Sequence, residues 1–169
     1  MKIAVSGTAG TGKTTLCKLI STNTVLIFVP DINDIVLKEM GFESGKQLFD
    51  ERGQEGHIEW HLKAIEAKIK HDEQNDDYVT DKSVFDFGAR SLARIYSNGR
   101  EVGISDEQHE IIMDALQRGT KLYDRIIYMP LKDRPVEDNA MRTTDNKQRF
   151  RFNVTLLGLY SAFGVPIES

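Results

Sequence analysis

Cysteine is almost absent from this chain. The one residue, Cys17, excludes an internal disulfide framework and a multi-cysteine zinc site. Long apolar runs are absent too. No stretch approaches the roughly 18 residues needed to cross a bilayer. The N-terminus reaches glycine-rich sequence after a few apolar residues, which is not the pattern of a signal peptide. A soluble, cytoplasmic protein without a membrane partner is expected. Nor is there a large excess of either charge: 22 Lys and Arg stand against 26 Asp and Glu, a net charge of −4. That balance argues against a general electrostatic nucleic-acid binder, although it leaves room for a local basic patch. There is no internal repeat, no low-complexity segment and no obvious linker. What is there suffices for a core. With 169 residues, 40% of them apolar and 28% charged, the chain has the size and composition of one globular domain, residues 1–169.

Apolar strands and amphipathic helices alternate along it. Residues 2–6 read as a buried strand, followed by a glycine-rich turn and a helix over 13–21 with Leu16, Leu19 and Ile20 inward. Residues 25–29 form a second strand, stopped by Pro30. A helix over 31–40 places Ile32, Ile35 and Val36 on one side and stops at Gly41. A longer helix over 54–70 buries Ile58, Leu62, Ile65 and Ile69. A polar loop then leads to a short strand over 78–80, ending at Asp81, and to a helix over 85–96. Ser105 and Gln108 predict a capping box for a helix to Arg118. Residues 125–129 are a further strand, stopped by Pro130. Residues 132–146 are polar and irregular, 149–163 helical, and 165–167 a final edge strand, where Pro166 is tolerable. This alternation predicts a parallel sheet with helices on both faces, whose ligands bind at the carboxyl ends of the strands.

One such end carries Gly7-Thr8-Ala9-Gly10-Thr11-Gly12-Lys13-Thr14, which fits G-x-x-x-x-G-K-[ST] without a mismatch between a predicted strand and a predicted helix. The glycines let successive backbone N–H groups converge on one anion, and the helix N-terminus adds its dipole. Lys13 would reach the β- and γ-phosphates, and the Thr14 hydroxyl would bind Mg²⁺. This predicts a nucleoside-triphosphate site over Gly7 to Thr15. A GTPase would carry N-K-x-D after a strand, which is missing. A motor ATPase would have more chain and a stronger apolar strand before its acid. A kinase needs a base, a metal-side acid and a cation over the transferring phosphate. Candidates for all three follow the predicted strands: Asp31, Asp81 and, in the segment after Pro130, Arg142.

The chain here resembles the NadR-type, ribosylnicotinamide kinase-like AAA_28 family of the nucleoside and nucleotide kinase superfamily. The resemblance rests on the 7–15 loop, Val29-Pro30-Asp31, Thr80-Asp81-Lys82-Ser83, the strand at 123–128 and Met141-Arg142-Thr143-Thr144-Asp145. It implies a five-stranded parallel sheet of order 2-3-1-4-5, a lid over about 132–148, and phosphoryl transfer from ATP with Mg²⁺ to a nucleoside- or nucleotide-like acceptor. Asp31 would receive the acceptor hydroxyl's proton, or else cap a helix. The family commonly has arginine three residues later, where this chain has Asp34. Asp81 would lie on the metal side, and Lys82, in place of the usual arginine, would meet phosphate as a point charge. Arg142 would stabilise the transferring phosphoryl group, with Arg134 a weaker candidate. Asp86 would touch acceptor hydroxyls or cap the next helix.

Two rivals stand beside this reading. A kinase acting on a nucleotide or modified base within DNA or RNA fits the basic 142–151 stretch but not the acidic total. A regulatory ATPase switch would carry an appended domain. Other features read as structure. His57 and His61 are expected on the exposed face of a helix, since H-x-E-x-H lacks a third metal ligand. Cys17, Trp60, Phe85 and Phe87 are expected in the core. Arg149 and Arg151 fall on the helix that follows and are less favoured than Arg142 as lid cations, the alternative for the whole basic stretch being a solvated helix face. No oligomeric state is specified.

Overall fold

The computed structural model describes residues 1–95, 105–131 and 145–169. Four strands, β1 (Lys2–Gly7), β2 (Ile27–Val29), β3 (Tyr78–Asp81) and β4 (Arg125–Met129), form one parallel sheet in the order β2-β3-β1-β4. Six helices accompany them: α1 (Lys13–Asn23), α2 (Ile32–Glu39), α3 (Gly45–Gln74), α4 (Val84–Ile95), α5 (Asp106–Gly119) and α6 (Asn146–Ala162).

Strand alternation sorts the side chains between two cores. Ile3, Val5 and Val79 pack with Cys17 and Leu26 on the face covered by α1. Ala4, Ile126 and Tyr128 point the other way, into a larger cluster filled from α2 to α6 by residues such as Val36, Ile65, Phe85, Leu116 and Leu156. Both faces are covered, as expected, but unequally. The capping box of α5 forms as the spacing of Ser105 and Gln108 predicts.

The expected fifth strand is reduced to a single parallel bridge between Ile127 and Glu168. Glu168 N–H donates to the Ile126 carbonyl at 2.9 Å, and Tyr128 N–H donates to the Glu168 carbonyl at 2.6 Å. The next donor of such a ladder would be residue 166, and Pro166 has no N–H.

α3 starts earlier than its periodicity predicts. Ser44 caps it, and Gly53 breaks its regularity at φ 61°. The arm before Gly53 lies against the first turns beyond it, and this overturns the expected exposure of two histidines. His57 and His61 are 8% and 5% exposed. His57 Nε2 is 2.6 Å from the Gly45 carbonyl, Phe49 meets the His57 ring edge-on, and His61 stacks on Trp60. Two apolar residues go the other way: Leu19 and Ile35, expected inward, are 58% and 45% exposed.

Under β3 lies a buried ion pair. Lys68 Nζ donates to Asp72 Oδ1 at 3.0 Å and to Thr80 Oγ1 at 2.9 Å. Tyr123 donates to the other Asp72 oxygen and accepts from Val84 N–H at 2.9 Å. Burial pushes the Lys68 ammonium down from its ordinary value, and Asp72 opposes that shift. Removing one member of such a pair leaves its partner's charge buried. Lys68→Met should therefore lower the unfolding free energy by about 3 kcal/mol, read as a drop in the urea midpoint.

Candidate active site

The 7–14 loop begins where β1 ends, and its first residue can only be glycine. Gly7 has φ 136°, and a Cβ there would lie 2.5 Å from the Met129 carbonyl of β4. Gly10 and Gly12 also take positive φ, 77° and 94°, so the chain curls back onto the first turn of α1. No side chain caps that turn, which leaves its N–H groups to an anion. Lys13 is 6% exposed and donates to the Thr8 carbonyl at 2.7 Å, alongside Thr11 Oγ1 at 2.9 Å. Burial, aided by neighbouring Lys82, pulls the Lys13 ammonium below its ordinary value. Ala9 is half-buried, while Thr14 and Thr15 are exposed.

Thr14 Oγ1 donates to Asp81 Oδ2, so the structure brings the two predicted metal-side residues together. Asp81 Oδ1 is buried and has no hydrogen-bond partner among the described residues. A hydroxyl and a carboxylate with one oxygen to spare are the hard oxygen donors that Mg²⁺ takes.

Asp31 is the N-cap of α2 and also does more than cap it. Its Oδ1 accepts from Asn33 N–H at 3.1 Å and from Asn33 Nδ2 at 3.0 Å. Asn33 is held in turn by Trp60, whose indole N–H donates to the Asn33 carbonyl at 3.0 Å. Asp31 Oδ2 is ion-paired with Lys82. Lys82 adopts φ 94°, rare for a residue with a side chain. Burial pushes the Asp31 carboxyl up, but Lys82 and Arg90 outweigh it and hold it below its ordinary value. Lys82, expected at a phosphate, is thus engaged by the candidate base.

Asp86 neither reaches for an acceptor nor serves α4 alone. It is 1% exposed. Its Oδ2 accepts from Ser6 Oγ at 2.7 Å, Ser83 N–H at 2.9 Å and Ser83 Oγ at 2.8 Å, and its Oδ1 from Gly7 N–H at 3.0 Å. Tyr160 of α6 closes the group, its hydroxyl lying 2.7 Å from both Ser6 Oγ and Ser83 Oγ. Asn33, Ser6 and Tyr160 were not singled out from sequence, and Ser83 only as part of the 80–83 step, because their roles depend on contacts between distant segments. Trp60, Phe85 and Phe87 are core residues, as expected. Arg142 and Arg134 lie outside the described residues. Arg149 lies on the helix, as expected, and is 5% exposed. Arg151 is exposed.

A family model described as an AAA domain, AAA_28, matches residues 2–168. The chain belongs to the AAA_28 family. Solved structures similar to this AAA_28 protein are P-loop kinases. Shikimate kinase from Aquifex aeolicus shares 14% identity at a TM-score of 0.55, covering 100% of this chain and 86% of that one. Deoxyadenosine kinase from M. mycoides with products bound shares 13% at 0.63, covering 99% and 86%. The same enzyme with bound dATP shares 15% at 0.59, covering 99% and 88%. No curated protein matches significantly. The AAA_28 chain thus has the P-loop kinase fold, while neither the family model nor these structures single out the NadR type.

The Asp31–Lys82 pair gives a pH test. A carboxyl whose folded value is depressed contributes stability above its ordinary value of 3.8, and loses it as the pH falls through the depressed one. Lys82→Met should raise the folded value. The variant should then lose less urea stability than the wild type between pH 5.5 and pH 3, measured from urea midpoints at both.

Proposed function

We propose that this AAA_28 protein is a Mg²⁺-dependent kinase that transfers the γ-phosphoryl group of ATP to a hydroxyl of a nucleoside- or nucleotide-like acceptor. The observation that carries the reading is the arrangement around Lys13. Along the carboxyl ends of β2, β3 and β1 stand, in that order, the carboxylate Asp31 at the start of α2, Asp81 bonded to Thr14, and the phosphate loop with Lys13. Donor phosphates, metal and acceptor hydroxyl each have a matching set of groups at one end of the sheet. The similarity to deoxyadenosine kinase in fold agrees with a nucleoside-like acceptor.

In this reading the loop amides and the Lys13 ammonium bind the phosphate chain and draw charge onto the β–γ bridge. Thr14 and Asp81 hold Mg²⁺, which supplies further neutralisation of the phosphates. Asn33 fixes one oxygen of Asp31 and leaves the other for the acceptor. The acceptor oxygen attacks the γ-phosphorus, the bond to the β-phosphate oxygen breaks, ADP leaves, and the hydroxyl proton passes to Asp31. Lys82 has to give up Asp31 for this. Its ammonium is then free to follow the phosphates, the role the sequence suggests for it.

The test is ATP consumption with a panel of nucleosides, nucleoside monophosphates, nicotinamide riboside and short DNA. Phosphorylation of a small acceptor is expected. Lys13→Ala should lower it by about 10²–10³-fold. Asp31→Asn should lower it by about 10²–10⁴-fold with ATP affinity unchanged. Transfer to DNA alone would move the acceptor into a polynucleotide. ATP hydrolysis with no acceptor would favour a regulatory ATPase.

A further inference from the structure

α6 is apolar on two sides, and the fold uses one of them. Leu156 and Tyr160 are buried, Leu159 and Phe163 pack against the same core, and the Phe85 ring lies 4.9 Å from that of Tyr160. On the other side Phe150, Val154 and Leu157 are 61%, 53% and 37% exposed. They stand at i, i+4 and i+7, so they form one stripe along the helix. A helix that is apolar all round is one buried on both sides. Gly158 and Ser161 continue the stripe and are exposed as well. A glycine in the middle of a helix is destabilising relative to alanine. A Cβ on Gly158 would meet nothing within 4 Å among the described residues, so their packing does not require glycine there.

The two halves of this stripe are unlike. The N-terminal half is bulky and cationic, with Phe150 between the exposed Lys147 and Arg151. The C-terminal half is small and uncharged, with Gly158 and Ser161. No carboxylate occurs in α6, and its last turn has no basic residue to meet the negative end of the helix dipole. A second copy of α6 laid antiparallel on the first supplies what each half lacks. Phe150 of one copy then falls over Gly158 and Ser161 of the other, where no large side chain stands in its way. Lys147 and Arg151 come to the uncharged half and the carbonyl end of the other helix. A parallel pair would instead set like charges side by side and leave the space over Gly158 unfilled.

We propose that the exposed face of α6 is the contact between two copies of this chain, packed antiparallel about a two-fold axis near Val154. The same surface serves both copies, so the assembly closes at a dimer. This dimer does not depend on the phosphate-loop reading.

Sedimentation equilibrium of the full chain over a concentration series tests it, with Val154→Glu, Gly158→Leu, Val154→Cys and Lys147→Cys compared. The wild type should be a dimer that dissociates on dilution. Val154→Glu sets two carboxylates against each other at the axis and should weaken association by about tenfold or more. Gly158→Leu should weaken it too, with its far-UV circular dichroism unchanged, because leucine favours helix and has open space in the single chain. Oxidation with diamide should cross-link Val154→Cys, since the one native cysteine, Cys17, is buried. Lys147→Cys should stay uncrosslinked, because two antiparallel copies of that position lie roughly 20 Å apart along the helix. A monomer at every concentration up to about 100 μM overturns the proposal. So does a dimer that neither Val154→Glu nor Gly158→Leu weakens, or cross-linking of Lys147→Cys as efficient as that of Val154→Cys. If Val154→Glu fails to fold, Gly158→Leu and the two cysteine variants decide the matter.

Discussion

The carboxylate of Asp86 is the point on which the arrangement turns. It belongs to α4, but its four donors come from β1, the first residue of the phosphate loop and the segment leaving β3. The two central strands end at different side chains, and one buried anion sets the distance between those ends. Hydrogen bonds to a buried charge are among the stronger ones, and a donor left without its acceptor there is expensive. The first residue of the loop is thereby tied to the buried anion. Tyr160 extends the same group to α6, so the last helix is referenced to the start of the loop as well.

Around that anchor the charges are arranged in pairs that a reaction would exchange. Asp31 holds Lys82, Asp81 holds the Thr14 hydroxyl, and Lys13 rests on a carbonyl of its own loop. Each partner is one that an incoming phosphate, metal or hydroxyl could replace in kind. Pre-placed groups of this sort do not have to be recruited from solvent when substrate arrives. The left-handed backbone of Lys82 fits this picture, because strained conformations persist where surrounding contacts fix them, often at functional sites.

The sequence was most legible where chemistry is local. The phosphate loop, the strands at 2–7 and 125–129 and the α5 capping box depend on neighbouring residues, and they stand where the pattern places them. It was least legible where distant segments meet. His57 and His61 read as exposed until the arm before Gly53 is laid across them. Asp86 reads as a contact to acceptor hydroxyls or a helix cap until Ser6 and Gly7 are brought beside it. The missing fifth strand is the reverse case, a local signal at Pro166 that the alternation of apolar residues outweighed.

The chain contains one tryptophan. Its indole N–H is bonded to the backbone of Asn33, which grips the carboxylate of Asp31 with two donors. Any movement of that carboxylate is transmitted through a single residue to a buried fluorophore. The protein therefore carries an intrinsic optical reporter beside the acid proposed to serve the acceptor, and its emission can be followed in the wild-type chain without a label.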